Sequence, residues 1–225
     1  MSSFPPDALV RQLLEADRFL IVGHIDPAAD SIGSTLALNR MLSGLGKHCI
    51  PVTPTPLPPV LDIMPGAATL AAAEDVRSAD VTHLLVLDCG VERTGTIAEL
   101  APSARSIVNI DHHATNSGTG THNWIDAGFA ATAEMIASLG KALDAPMDQE
   151  TATLLYAGLA GDTGCFRFGN TTPAVLRLAS SLLEHGVDPD YVNRAMNERR
   201  SLVYLRLLGE MLQSVRVEYG GRVVV

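Results

Sequence analysis

FLIVGHIDPAADSIGSTLALNRMLSGLG, residues 19–46, holds a complete strand–loop–helix unit. FLIVGH (19–24) is an unbroken apolar run closed by a polar residue, as expected of a strand buried on both faces. A short polar loop follows. SIGSTLALNRMLSGLG then has helical periodicity, with glycines near its end where a C-cap falls. The strand signature returns in HCIPVTP (48–54), THLLVLDCG (82–90) and RSIVNIDHHATN (105–116). Helical patterns cover Ala130 to Leu143 and Gln149 to Leu159. Strands alternating with helices predict an α/β fold, a parallel sheet with helices on both faces. Sites in such sheets gather at the carboxyl ends of the strands.

Outside this core, Asp7 to Asp17 reads as an amphipathic helix with Leu9, Val10, Leu13 and Leu14 on one side. PTPLPPVLDIMPGA (54–67) is too rich in proline for regular structure and predicts a surface connection. The last quarter contains two or three helices and closes on VRVEYGGRVVV, a strand, a Gly-Gly turn and a second strand. An isolated hairpin is marginal in water. The expected organisation is therefore one α/β domain over residues 1–185, a helical linker over 186–214, and the start of a further domain over 215–225.

The 225 residues carry a formal net charge of −9 and only 4% aromatic side chains. That argues against a partner such as long duplex nucleic acid, which requires many phosphates to be neutralised. Three widely spaced cysteines form no CxxC pair, which suits a reducing cytoplasm better than a disulfide framework. No apolar run approaches the roughly 20 residues of a membrane helix, and no signal peptide is evident.

Four polar clusters stand out: His24-Ile-Asp26-Pro27-Ala28-Ala29-Asp30, Asp88-Cys-Gly, Asp111-His112-His113 and Asp162-Thr163-Gly164. Each has a plain alternative when taken singly. Asp88 can cap the next helix, and Asp162-Thr163-Gly164 can be a turn. His48, His83, His122 and His185 lack an acidic neighbour at a useful spacing and read as surface or structural residues. Together, however, the apolar segments deliver Asp or His where a parallel sheet would converge them. Carboxylates and imidazoles without thiolates suit Mn²⁺ or Mg²⁺, with Zn²⁺ open. Crowded carboxylates also need cations to neutralise them. A cysteine nucleophile fits poorly, because Cys89 and Cys165 lie near acidic residues that raise a thiol pKa.

Asp111-His112-His113, with Asn116 after it, resembles the signature of the DHH phosphoesterases. GHIDPAADSIGSTLAL (23–38), LDCGVERTG (87–95) and LYAGLAGDTGCFRFGNTT (155–172) are similar to that family's first, second and fourth motifs, in family order. The resemblance is nearest to the stand-alone proteins that join a DHH domain to a DHH-associated domain, which include nano-RNases that degrade very short RNA and dephosphorylate adenosine 3′,5′-bisphosphate. It implies that the domain begun at 215–225 is the DHH-associated one. The resemblance implies a two-metal Mn²⁺ site. His24 would belong to the first metal, Asp30, His112 and Asp162 to the second, and Asp88 would bridge the two. It implies that His113 faces the substrate phosphate as electrophile or proton donor, and that Asp111 orients His112. Arg93 and Asn116 would contact phosphate or hold the loops. One position departs: where the family has a ligand Asp, this chain has Ala28 within an otherwise intact motif. A methyl cannot coordinate a metal, so the first site is expected to be impaired. Related activities within the fold are dinucleotide phosphodiesterase and single-strand exonuclease, and Ala28 alone favours a catalytically silent nucleotide-binding module. A short RNA or nucleotide is the expected partner, and a homodimer is permitted.

Overall fold

The computed structural model describes residues 4–76, 83–198 and 200–224. Its centre is a six-stranded, all-parallel sheet in the order β3-β2-β1-β4-β5-β6. The strands are β1 (Arg18–Val22), β2 (His48–Thr53), β3 (Ala71–Ala72), β4 (His83–Leu87), β5 (Ser106–Asp111) and β6 (His122–Ile125). Residue 82 of the expected strand 82–90 lies outside the described residues. From β1 the chain steps outward through β2 to β3, then returns to place β4 on the other side of β1. This reversal between β1 and β4 opens a crevice at their carboxyl ends, where open sheets of this kind bind ligands.

Alternate residues of each strand feed two apolar layers. Phe19, Ile21, Leu85, Leu87, Val108 and Ile110 face the larger one, built with the α-helices. Leu20, Val22, Val52, Leu84 and Val86 face the smaller one, closed by short 3₁₀ segments that include Ala73–Val76 and Gly95–Ser103. Helical structure thus covers both faces, as expected, but unequally.

The larger layer contains α1 (Asp7–Glu15), α2 (Ala29–Gly44), α3 (Thr132–Ala142), α4 (Gln149–Asp162), α5 (Pro173–Glu184) and α6 (Pro189–Asn193). Helices apolar all round belong inside a fold, and α4 fits that description, with every residue from Thr151 to Ala160 buried. It packs most extensively on α2. The approach is close because Gly33 of α2 has no side chain. A Cβ there would stand 2.5 Å from the carbonyl oxygen of Leu154.

Two strands, β3 and β6, have no counterpart in the sequence reading. Both are short edge-region segments, and HNWI (122–125) mixes polar and apolar residues. The last quarter gives α5, α6, a π-helical turn Arg194–Glu198, α7 (Leu202–Ser214) and the expected hairpin, β7 (Val217–Glu218) with β8 (Val223–Val224). Residue 225, also expected in the hairpin, is not among the described residues. None of the side chains of α7 is buried. Cys49, Cys89 and Cys165 are free thiols. Among the described residues no helix is long and apolar enough to cross a membrane.

Gly33→Ala tests the α2–α4 contact. In an exposed helix this change would stabilise by about 1 kcal/mol. Here the rigid Leu154 carbonyl turns the sign, and overpacking of about 1–3 kcal/mol leaves a net loss. A lower urea midpoint with an unchanged m-value is expected; a higher midpoint would contradict the packing described.

Candidate metal centre

Asp30, in the first turn of α2, is fully buried, and its carboxylate is held from three directions. Oδ2 accepts from the Thr132 backbone N–H at 2.6 Å, and Oδ1 accepts from the Ala133 N–H at 2.8 Å and the Ser34 hydroxyl at 3.1 Å. Those two N–H groups belong to the first turn of α3. Its own N-cap residue, Ala131, has no side chain able to cap it. Asp30 therefore caps α3 from another helix, satisfying donors that would otherwise be orphaned. Gly158 of α4 leaves room for this. A Cβ at that position would meet Asp30 Oδ1 at 2.7 Å and the Ala133 Cβ at 2.8 Å.

Asp88 follows β4, and its backbone is in the left-handed region, with φ of 64°. Such a conformation costs a non-glycine residue about 1–3 kcal/mol and is concentrated at functional sites. The Asp88 N–H still donates to Ile110 of β5 at 3.0 Å. Next to it, the buried amide of Asn109 donates to the carbonyls of Val86 and Cys89. These bonds direct the Asp88 carboxylate into the crevice. There Oδ1 accepts from the Thr132 hydroxyl at 3.0 Å and lies 3.6 Å from His112 Nε2, while Oδ2 lies 3.5 Å from His24 Nε2. His24 Nδ1 is 2.6 Å from the Ile25 carbonyl, which can only accept. Nδ1 therefore carries the proton and Nε2 faces Asp88, the tautomer a metal ligand requires.

Asp162 is the last residue of α4, one turn further along that helix than the sequence reading placed its end. The chain then reverses sharply, with Gly164, Cys165 and Phe166 all at positive φ. Asn170 donates to the carbonyls of Asp162 and Ala130, tying this reversal to the start of α3. Asp162 Oδ2 stands 2.9 Å from His112 Nε2. Although it pairs in charge with Asp162 and Asp88, this buried ring nitrogen is left without a hydrogen-bond partner. One donor atom each from Asp30, Asp88, His112 and Asp162 lies within 4.8 Å of all the others. Donors about 2.1 Å from a shared ion stand no more than about 4.2 Å apart, so a small contraction closes the set. An orphaned imidazole nitrogen facing three carboxylates, with no thiolate, fits a divalent cation such as Mn²⁺ or Mg²⁺.

A second grouping, Asp88, Asp111, His112 and His113, is equally compact. It is a weaker candidate because Asp111 is already engaged. Its Oδ1 accepts from the His113 backbone N–H at 3.1 Å and approaches His113 Nδ1 to 2.7 Å, and its Oδ2 accepts from Asn116 at 2.8 Å. This corrects one expectation: Asp111 orients His113, not His112. The reason is local. β5 ends at Asp111, and the turn after it folds His113 back over the carboxylate. Nδ1 bound in this way leaves the His113 Nε2 toward solvent, on a side chain 45% exposed.

Asn116 also donates to Asn109 and accepts from Gly118, so its amide holds the loop. The Arg93 carbonyl accepts from Ile25, and its guanidinium is close enough to oppose protonation of His24. Ala28 lies at the N-cap of α2 and presents only a methyl beside Asp162. His24 consequently has Asp88 near it but belongs to neither four-residue grouping. Thr132, Asn109 and Asn170 were not singled out in the sequence. All three are ordinary polar residues, without the Asp/His signal that marks a metal centre.

The charge pattern follows from the packing. Burial raises the Asp30 carboxyl well above the ordinary range, and the neighbouring Asp88 and Asp162 carboxylates push it the same way. For His112, burial works against the charged ring, but the Asp162 carboxylate 2.9 Å away and the charges of Asp30 and Asp88 prevail, lifting it to about 9. The His24 imidazole is raised chiefly by the Asp88 carboxylate beside it.

Residues 18–159 match the DHH family, N-terminal domain. The chain is 36% identical to the bifunctional oligoribonuclease and PAP phosphatase NrnA of Thermus thermophilus, across 96% of this chain and 65% of that protein. It thus spans just under two thirds of the length of that relative. An exopolyphosphatase-related protein from Bacteroides fragilis has a similar structure, with a TM-score of 0.88 at 23% identity, over 97% of this chain and 68% of that one. Exonuclease RecJ bound to manganese aligns with a TM-score of 0.53 at 20% identity, over 84% of this chain and 53% of that one. At these identities the two structures establish a shared fold.

Protonated His112 cannot ligate, so a metal entering the centre must displace its proton. Mn²⁺ affinity should rise about tenfold per pH unit between pH 7 and 9 and then level off. Titration calorimetry in buffers of different ionisation enthalpy checks this through proton release, and a flat profile would contradict the assignment of His112.

Proposed function

This chain belongs to the DHH family, and on that premise we propose that it is the catalytic part of a divalent-metal phosphoesterase for short oligoribonucleotides and adenosine 3′,5′-bisphosphate. The observation that carries the reading is the orphaned His112 Nε2 facing Asp30, Asp88 and Asp162 at the β1–β4 crevice. The activity named for the Thermus thermophilus relative supports the substrate class. Manganese in the RecJ structure favours Mn²⁺ over Mg²⁺ as the resident ion.

In this reading Asp30, His112 and Asp162 would hold one ion, and Asp88 and His24 are the described residues that would be offered to a second. Bound there, the ion supplies a Lewis acid for the phosphoryl oxygen and an acidified water. The remaining work belongs to the chain. Asp111 fixes the His113 ring so that the exposed Nε2 can reach the scissile phosphate and donate to the leaving oxygen. Arg93, exposed and close to His24, would contact phosphate. Asn116 keeps the His113 loop in place. Of the expected linker over 186–214, Val187 and Val192 are buried in the core. The part that would act as a linker is therefore α7, which has no buried side chain, leading to a further domain begun by 215–225.

Ala28 bears on rate more than on fold. It leaves the second ion position short of a ligand, and that is the one feature favouring a silent nucleotide-binding module. Ala28→Asp should raise Mn²⁺-dependent hydrolysis of adenosine 3′,5′-bisphosphate by about a hundredfold or more. It should also add about one bound Mn²⁺ by elemental analysis. No change in either quantity would remove the claim of an impaired site.

The net charge of −9 gives long strands little to hold beyond the metal centre. Turnover should therefore fall steeply as RNA grows from two to about two dozen nucleotides, with a weak salt dependence. Faster turnover of the longest strand, with a steep salt slope, would favour a single-strand exonuclease instead.

A further inference from the structure

Asp162 faces two surroundings. One is the ligand cluster. The other is an open cleft of about 260 Å³ between the loop after β1, the proline-rich segment and the π-helical turn. Its walls are Pro27, Pro58, Val60, Leu61 and Met196, with the small residues Ala28, Ala29 and Gly161 at its floor. Among the described residues of the lining, Asp162 supplies the one charged side chain.

The walls are tied to each other. The Tyr191 hydroxyl of α6 donates to the Ile63 carbonyl at 2.7 Å, binding the proline-rich segment to the helix that runs into Met196. Asp26 N–H donates to the Thr55 hydroxyl at 2.9 Å, binding the same segment to the loop carrying Pro27 and Ala28. Beneath them Ile63, Met64, Val192, Ala195 and Met196 line one small apolar contact region. The cleft is thus formed before anything enters it. π-Helical turns are themselves frequent at functional sites.

We infer that this cleft receives the nucleobase of the nucleotide whose phosphate lies at the metal centre. The inference rests on the nucleotide-phosphoester reading and adds a base subsite to it. An occupant of a cleft that is apolar on its walls and opens onto metal ligands needs an apolar, flat body joined to an anionic group. A nucleotide has both. The cleft is smaller than the roughly 300–1,000 Å³ of pockets for drug-sized ligands, which suits one ring system rather than two. Pro, Val, Leu and Met offer faces and edges but no hydrogen-bonding side chain, so the subsite grips any base by contact area and reads no particular one.

The test compares adenosine 5′-monophosphate with ribose 5-phosphate, its base-free counterpart, by calorimetric titration of the Mn²⁺-loaded chain. The nucleotide should bind about tenfold more tightly, from the apolar area of one base removed from water. Met196→Ala and Val60→Asn, both uncharged and at partly exposed positions, should each reduce that ratio several-fold while the affinity for ribose 5-phosphate stays the same. Equal binding of the two ligands, or a ratio insensitive to both variants, would overturn the base subsite and leave the phosphoesterase reading standing. Binding of neither ligand by a chain that does take up Mn²⁺ would overturn both.

Discussion

The burial of the Asp30 carboxylate is the constraint on which the rest of the structure depends. A carboxylate with no solvent exposure has to be compensated by hydrogen bonds and by charge. The hydrogen bonds come from the first turn of α3, and the space comes from Gly158 on α4. The charge has to come from His112 or from a cation. Thr132 links this arrangement to the sheet, since its N–H holds Asp30 while its hydroxyl holds Asp88. Helix packing, the capping of α3 and the geometry of the metal centre are therefore one arrangement.

That interdependence explains what the sequence made legible. Buried parallel strands read as continuous apolar runs, and β1, β4 and β5 are of that kind, so their ends located His24, Asp88 and Asp111. The convergence of Asp30, Asp88, His112 and Asp162 was likewise readable, because acidic and imidazole residues at strand and helix ends have few other reasons to recur in family order. The partner of Asp111 was not readable. Whether it turns to His112 or His113 depends on one tight turn after β5, and adjacent residues of the same type give no local signal to choose between them. Strand β6 was missed for a related reason: four residues of mixed polarity gain their strand character from pairing with β5 rather than from their own pattern.

Ala28 separates two functions that the opening motif combines. The backbone of that motif still starts α2 and places Asp30, and both are intact. What is missing is a donor atom toward the position beside His24. A change that leaves packing untouched while removing a ligand is compatible with a fully folded protein of low activity. On the proposed reading it would also leave the Asp30–Asp88–His112–Asp162 cluster as the fuller cation site.

The central claim is that His112 Nε2 is a metal ligand and that its lack of a hydrogen-bond partner reflects this role. Pulsed electron paramagnetic resonance on the chain loaded with one equivalent of Mn²⁺ tests it most directly, through the magnetic coupling of the ion to a bound imidazole nitrogen. The account predicts a directly bound nitrogen signal in the unmodified chain that disappears in His112→Gln while His113→Gln retains it. A Mn²⁺ signal without nitrogen coupling, or one that survives His112→Gln unchanged, would contradict it.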